Sequence, residues 1–149
     1  MQSVSQYFED FALESVSTSR TRTITETDIV NFAGISGDFV ELHMSETYAA
    51  QGPFGRRIAH GTLVFSVAVG LGVQMNQVQD TVIAFYGLDR LRFTQPVFIG
   101  DTIHSVAKVI SKQVKEPGRG LVTFETSVFN QNNELVLIYS DKLMLKMRG

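Results

Sequence analysis

The length, composition and charge of this chain limit what it can be. Its 149 residues suffice for one domain with a single hydrophobic core, and we predict one domain over residues 1–149. A net charge of −2 provides no broad basic surface for nucleic acid or an anionic membrane, and the lack of cysteine excludes disulfides and thiolate nucleophiles. The N-terminal segment has neither the basic start nor the apolar run of a signal peptide, so we expect a soluble cytoplasmic protein.

The first half of the chain predicts one strand and three helices. The strand covers residues 17–24, and a helix follows over 25–33 because Thr-Glu-Thr-Asp supplies a cap and an acidic first turn. A short helix is expected over 45–50. The apolar run 63–73 is rich in β-branched residues that would also suit a buried strand, but its length favours a helix. A helix that is apolar on nearly every side must be buried all round. Its small residues would let strands approach closely: Ser66, Ala68, Gly70 and Gly72.

The second half of the chain, after about residue 78, predicts strands only. Alternating apolar positions mark a strand over 121–129, and residues 134–146 form a second β-rich run. The segments 116–120 and 130–133 contain turn residues typical of hairpins. We therefore predict an α+β fold in which an antiparallel sheet curls around the long apolar helix.

Such a sheet has open edges, and an exposed edge invites pairing with a second copy. We therefore expect a homodimer or a higher homo-oligomer. The alternative is a monomer whose edge is blocked by a loop or by charges such as Lys108 and Lys112.

Asp38 and His43 are the first candidate functional residues. They stand five positions apart, a spacing that brings side chains together on neither a straight helix nor a strand. Gly37 supplies the backbone freedom for the bend that they need to reach one water molecule. The alternative is that Asp38 only caps a short helix and that His43 is a partly exposed polar residue on it.

The start of the apolar helix is the second candidate. His60 and Gly61 stand where the helix begins, so unpaired backbone N–H groups and the positive end of the helix dipole would face the space in front. Such a position can stabilise a developing oxyanion.

These segments resemble one family, the MaoC-like dehydratases, also called hydratase 2, which include the (R)-specific enoyl-CoA hydratases. The resemblance runs in the expected order through residues 7–11, 25–32, 38–43, 58–61 and 92–102. The family pattern reads Asp-x-Asn-Pro-x-His, and Asp38 and His43 match it, whereas Val40 and Glu41 replace Asn and Pro. Val69 stands where the family has Ser or Asn.

The resemblance implies a hotdog fold, sheets joined in a dimer and an acyl tunnel near the subunit boundary. It also implies addition of water to a trans-2-enoyl-CoA to give a (3R)-3-hydroxyacyl-CoA, or the reverse dehydration. Asp38 would be the general base, His43 would hold the same water and take part in proton delivery, and the Gly61 N–H would receive the enolate oxygen. No metal or redox cofactor is expected, since coenzyme A enters as part of the substrate.

Further residues have more than one interpretation. His60 could join Asp38 and His43 as a metal ligand, but no close histidine pair supports a metal site, so bracing the loop near the substrate is preferred. Arg56 and Arg57 would meet the phosphates of coenzyme A or lie in a solvated loop. Val40 would help to shape the substrate pocket, and His104 on a predicted strand would be structural or exposed.

Two other functions remain open at this point. One is an acyl-CoA thioesterase of the same fold, which would use a carboxylate near a helix N-terminus to direct water at a carbonyl. The other is a non-catalytic acyl-CoA-binding or regulatory subunit, for which the departures at Val40 and Glu41 are the best argument.

Overall fold

A computed structural model describes residues 4–149, so the first three residues of the predicted domain lie outside it. A short 3-10 turn comes first, at Phe8–Asp10. Four α-helices and six strands follow: β1 (Val16–Thr18), β2 (Arg22–Thr23), α1 (Glu26–Ser36), α2 (Glu41–Met44), α3 (Glu46–Ala50), α4 (Gly61–Val73), β3 (Val82–Phe93), β4 (Thr102–Glu116), β5 (Arg119–Phe129) and β6 (Leu135–Lys146). In the antiparallel sheet the order is β1-β4-β5-β6-β3, and β2 pairs with β4. This arrangement confirms the predicted α+β hotdog architecture.

The helix predicted over 25–33 is confirmed as α1, together with its cap. The Thr25 hydroxyl accepts a hydrogen bond from the backbone N–H of Asp28, and the Asp28 carboxylate accepts one from the Thr25 N–H. The helix continues to Ser36, beyond the predicted end, and stops where Gly37 takes a positive φ of 79°. That stop directs the chain into the segment that carries Asp38.

The single strand predicted over 17–24 is wrong, because the structure has two short strands with a break between them. Ser19 causes the break. Its backbone N–H donates to the Ser105 carbonyl, but the Ser105 N–H donates to the Ser19 hydroxyl rather than to a backbone carbonyl. The Ser19 hydroxyl has thus taken the place of a backbone carbonyl as acceptor in the ladder. Pairing with β4 resumes only at Arg22.

The apolar helix is confirmed as α4, but the prediction that it is buried on all sides is wrong for this chain. One side packs on the sheet through Leu63, Val64, Val67, Ala68 and Leu71. Thr62, Ser66 and Val73 are exposed on another side, because the sheet wraps only part of the helix. The expected close approach at small residues holds at Ala68, whose carbonyl lies 3.4 Å from the Ser105 hydroxyl. It fails at Gly70 and Gly72, where an added Cβ would meet no atom within 4 Å.

The strands of the second half follow the predicted alternation. In β5 the side chains of Val122, Phe124, Thr126 and Val128 are buried on one face, as expected for a central strand with α4 on its concave side. The two predicted hairpin loops connect β4 to β5 and β5 to β6. Within residues 4–149, no helix has the length and apolarity needed to cross a membrane.

Strand β3 forms an open edge of the sheet and carries exposed apolar side chains. These are Val82, Ile83, Phe85, Tyr86 and Phe93. The two lysines that could have blocked an open edge, Lys108 and Lys112, lie on β4 instead. Lys108 is paired with Glu14 at 2.7 Å, and Lys112 lies over the ring of Phe8 at 4.6 Å. Neither lysine therefore blocks β3.

Candidate active site

Asp38 lies in the loop between α1 and α2, on the bend that the sequence predicted. Its backbone N–H donates to the Ser36 hydroxyl at 3.1 Å, and its carboxylate accepts from the Val40 N–H at 3.3 Å. The cap position of α2 is occupied by Val40, so Asp38 is not the cap of that helix. The carboxylate therefore stabilises the loop in which it lies, and 41% of the Asp38 side chain remains exposed.

His43 is buried on α2 and faces Asp38. Its Nδ1 atom lies 2.7 Å from the carbonyl oxygen of Ile58. A carbonyl can only accept, so Nδ1 carries the hydrogen and the lone pair of the neutral ring is on Nε2. That Nε2 atom lies 4.0 Å from Oδ2 of Asp38. The predicted convergence of the two side chains is therefore present.

His60 contacts both Asp38 and His43. The ring is only 1% exposed, and its Nε2 atom lies 2.9 Å from the backbone carbonyl of Asp38. It also stacks on His43, with ring centroids 4.0 Å apart. His60 therefore ties the Asp38 loop to the start of α4, as the bracing interpretation expects. The expectation that His60 contacts substrate is not met, because the ring is buried beneath the loop and does not line the cavity.

Asp38, His43 and His60 also offer one metal-ligand atom each, all within 4.8 Å of one another. The two imidazole rings pack together with their planes inclined by 31°. One nitrogen of each ring is already bound to a backbone carbonyl. Each imidazole therefore keeps one ring nitrogen that is not bound to a backbone carbonyl.

A cavity of about 510 Å³ opens in front of Asp38 and the start of α4. Gly61 is the first residue of α4 and lines this cavity together with Asp38. A Cβ at Gly61 would lie 2.8 Å from the Phe93 ring, so only glycine fits without displacing that ring. Within residues 4–149 no acceptor takes the Gly61 N–H, which is therefore free to bind an oxygen in the cavity.

The far wall of the cavity includes residues that the sequence analysis did not select as site residues. Phe93, Thr94 and Gln95 come from the end of β3 and the turn after it, and Phe54 comes from the loop before α4. Their signal in the sequence was weak. The first three belong to the segment 92–102 that carries the family resemblance, but none is a residue type that marks chemistry.

The remaining predicted site residues lie away from the Asp38 pair. The Arg57 guanidinium binds Glu46 and Glu26, and these hydrogen bonds raise the pKa of Arg57. Two carboxylates therefore already engage the Arg57 guanidinium. The Arg56 guanidinium instead lies over the Phe98 ring at 3.8 Å. The Val40 side chain is exposed and does not line the cavity.

His104 lies on β4, where its ring stacks on Phe129 with centroids 5.7 Å apart. The structural interpretation of this histidine is therefore supported.

Comparison with known proteins identifies the family to which this chain belongs. The family model described as "MaoC like domain" matches residues 9–131. The (R)-specific enoyl-CoA hydratase of Rhodospirillum rubrum is 38% identical over 122 residues, which cover 81% of this chain and 79% of that protein. The protein MaoC of Klebsiella aerogenes is 43% identical over 110 residues, 74% of this chain, but the match spans only 32% of its length.

Solved structures agree with these matches. The structure of a monoamine oxidase regulatory protein from Archaeoglobus fulgidus superposes with a TM-score of 0.95 and 39% identity, covering 100% of this chain and 99% of that one. An R-hydratase from Pseudomonas aeruginosa superposes with a TM-score of 0.76 and 29% identity, covering 95% and 86%. The chain therefore belongs to the MaoC-like dehydratase family, in which its relatives include hydratases and dehydratases.

Proposed function

We propose that this protein adds water across the C2–C3 double bond of a trans-2-enoyl-CoA to give a (3R)-3-hydroxyacyl-CoA, or catalyses the reverse dehydration. The observation that carries the proposal is that Asp38 and the free Gly61 N–H line one cavity, with His43 directly behind Asp38. The relatives named as an (R)-specific enoyl-CoA hydratase and a 3-hydroxybutyryl-CoA dehydratase support the same reaction class.

The gap between Asp38 and His43 suits a substrate water. At 4.0 Å the carboxylate Oδ2 and the imidazole Nε2 are too far apart for a direct hydrogen bond. Both are acceptors when the carboxyl is ionised and the ring is neutral. A water molecule has two hydrogens and can donate one to each atom. Its oxygen lone pairs then point away from both groups, which leaves the oxygen able to attack a substrate carbon.

The chemical step uses that orientation. Asp38 accepts a proton from the water as the oxygen forms its bond to C3, and the electron pair of the double bond moves toward the thioester. The developing enolate oxygen accepts a hydrogen bond from the Gly61 N–H at the positive end of α4. The proton that Asp38 took from the water is then passed to C2, with His43 taking part in its delivery, so that the addition ends with both side chains in their starting protonation states. All of these groups belong to the chain, and coenzyme A enters as part of the substrate.

Two further assignments rest on this reaction. We propose that Arg56 meets a phosphate of coenzyme A, since this exposed residue lies in the loop that leads to α4. Its guanidinium lies over the Phe98 ring and forms no ion pair with a carboxylate of residues 4–149. We also propose that two copies pair through β3. This edge strand has unpaired backbone groups and a row of exposed apolar side chains that a second copy would cover.

A non-catalytic regulatory role is the second candidate, because a structure 39% identical to this chain is described as that of a regulatory protein. Incubation of the purified protein with a panel of trans-2-enoyl-CoA thioesters separates the candidates. Hydration lowers the enoyl absorbance without release of free CoA thiol. Thiol release would instead indicate a thioesterase, and no change with any member of the panel would favour the regulatory role.

A further inference from the structure

A second cavity, of about 390 Å³, lies between the C-terminal half of α4 and the sheet. It shares no lining residue with the cavity that contains Asp38 and Gly61. Its wall is mainly apolar and includes Val69 and Phe85. Gly72 adds to its space, since a Cβ there would meet no atom within 4 Å.

Asp141 is a charged residue in this apolar wall. On β6 the residues Leu137, Tyr139, Leu143 and Leu145 share the face that packs on the core. Strand periodicity puts Asp141 on the same face, and the register places it opposite Phe124 of β5. A carboxylate thus interrupts an apolar alternation on a strand with neighbours on both sides. Departures of this kind are expected at functional or strained positions, so packing alone does not account for Asp141.

The Asp141 carboxylate has spare hydrogen-bonding capacity. It accepts a hydrogen bond, at 2.8 Å, from the Thr126 hydroxyl, and its own backbone N–H is the other donor that lowers its pKa. Within the described range 4–149, no Lys, Arg or His forms an ion pair with it. Burial raises the pKa of Asp141 to about 6, so the group is mostly ionised above neutral pH and can then only accept. A ligand that donates a hydrogen bond would relieve the cost of this buried charge.

The two cavities lie along the same two elements. On α4, Gly61 and Val64 line the first and Ala68 and Val69 line the second, and Gly61 and Val69 are about 12 Å apart along the helix axis. On β6, Val136 lines the first and Asp141 the second. A chain bound with its thioester at Gly61 would therefore reach Asp141 by following α4.

An aromatic pair stands next to the second cavity. Phe65 comes between the two sets of lining residues along α4, and its ring packs edge-on against Tyr139 of the second cavity, with centroids 5.1 Å apart. Phe65 is only partly buried, so its ring can change rotamer more readily than that of Tyr139, which is 2% exposed.

We propose that the second cavity receives the distal part of the acyl chain and that Asp141, with Thr126, selects chains bearing a hydrogen-bond donor there, a hydroxyl or an ammonium group. Asp141 is then a specificity-determining residue. The assignment rests on the proposed hydratase function for the position of the thioester, but the recognition itself is a matter of binding and is measured without turnover.

The test uses saturated acyl-CoA thioesters, which bind but cannot be hydrated. One compound ends in a plain alkyl chain, and its partners of equal length carry a hydroxyl at successive distal carbons or a terminal ammonium. Calorimetry at pH 7.5 gives the dissociation constants for the wild type, Asp141→Asn and Asp141→Leu. Circular dichroism and thermal melting check that each variant is folded.

We expect one hydroxyl position, or the ammonium, to bind the wild type at least about 10-fold more tightly than the alkyl compound, the scale of a hydrogen bond to a charged group. Asp141→Leu should abolish that preference and tighten binding of the alkyl compound, and Asp141→Asn should weaken the preference. Equal preference in the wild type and in a folded Asp141→Leu variant would overturn the proposal.

The enoyl-CoA assay separates this failure from failure of the proposed function. Hydration of plain enoyl-CoA without any Asp141-dependent preference would contradict only the assignment of Asp141. A preference that depends on Asp141 without any hydration would support that assignment and contradict the hydratase function.

Discussion

The Nε2 atom of His43 lies 4.0 Å from Oδ2 of Asp38, while the opposite nitrogen of the same ring is bound to the Ile58 carbonyl. The backbone thus sets which nitrogen of His43 faces Asp38. Two acceptors 4.0 Å apart can both be reached by one donor with two hydrogens, and water is the donor that the proposed reaction needs.

The first prediction concerns these two side chains. Asp38→Asn and His43→Gln should each lower kcat by at least about 10²-fold, the scale of acid–base catalysis. Asp38→Asn should leave the melting temperature nearly unchanged, since the side chain is partly exposed and Asn can still accept from the Val40 N–H. His43→Gln should cost about 1–2 kcal/mol of stability, because it disturbs a buried bond to Ile58.

Glu41→Gln is the matched control for this pair. Glu41 is an exposed residue in the first turn of α2, between the two candidates in sequence. Its replacement should change the free energy of unfolding by only about 0.5 kcal/mol and should leave kcat unchanged. Near-normal kcat in a folded Asp38→Asn or His43→Gln variant would remove that residue from the mechanism.

The second prediction isolates the Gly61 N–H, which no side-chain truncation can remove. Proline is tolerated in the first helical turn and lacks the N–H. Any Cβ at Gly61 also meets the Phe93 ring, so Gly61→Ala is needed to measure that steric cost alone. We expect kcat of Gly61→Pro to fall about 10²- to 10³-fold below that of Gly61→Ala.

Both Gly61 variants should also be made with Phe93→Ala, which removes the ring that a Cβ would strike. The ratio of their kcat values should persist in that background, with circular dichroism confirming the fold. Equal turnover of the proline and alanine variants would show that the enolate oxygen is stabilised elsewhere.

The local backbone around Asp38 and Gly61 could be predicted from the sequence, but the packing around it could not. The bend at Gly37 and the start of α4 at Gly61 follow from local backbone preferences, so they could be inferred without tertiary information. The break at Ser19 could not, because it depends on a hydroxyl that meets Ser105 across the sheet. The exposed side of α4 was also missed, since apolarity predicts burial but does not say which molecule covers the helix.

Asp141 carries a signal within the sequence itself. It interrupts the apolar alternation of the β-rich segment 134–146. A pattern of period two identifies such a position from sequence alone. Only the structure, however, shows that the carboxylate faces a cavity and has Thr126 as a partner.

The third prediction is a pH dependence of stability that arises from Asp141. Burial raises its folded-state pKa to about 6 from an ordinary value of 3.8. The folded state therefore binds the proton more tightly than the unfolded state, and stability falls as pH rises from about 4 to about 6. Above that range the ionised carboxylate costs about 3 kcal/mol, at 1.36 kcal/mol for each pKa unit.

Asp141→Asn removes this charge and should stabilise the protein at pH 7.5, whereas at pH 4 the two proteins should differ little. Urea unfolding at fixed protein concentration measures the effect. Asp89→Asn, an exposed position on the neighbouring strand β3, is the control and should change stability by less than about 1 kcal/mol at both pH values. A gain from Asp141→Asn that is equal at both pH values would contradict the assignment to charge burial.

The fourth prediction concerns the open edge of the sheet. Sedimentation should show a homodimer at micromolar concentration, since β3 carries unpaired backbone groups and exposed apolar side chains. Tyr86→Lys on β3 should shift the protein toward monomer, because lysine disfavours edge pairing. Val114→Lys also changes an exposed apolar position, but on β4, toward the other edge of the sheet. This variant should not shift the protein toward monomer. A fully active monomer would contradict pairing through β3.

The most direct test of the proposed reaction is the configuration of its product. The protein should be incubated with a trans-2-enoyl-CoA and the 3-hydroxyacyl product resolved on a chiral phase, with Asp38→Asn prepared in parallel to exclude a contaminating hydratase. The proposed reaction, for which the relative named as an (R)-specific hydratase supplies the configuration, predicts only the R product from the wild type and at least about 10²-fold slower formation from the variant. The S product, or no turnover across a broad panel of acyl groups, would contradict the proposed function.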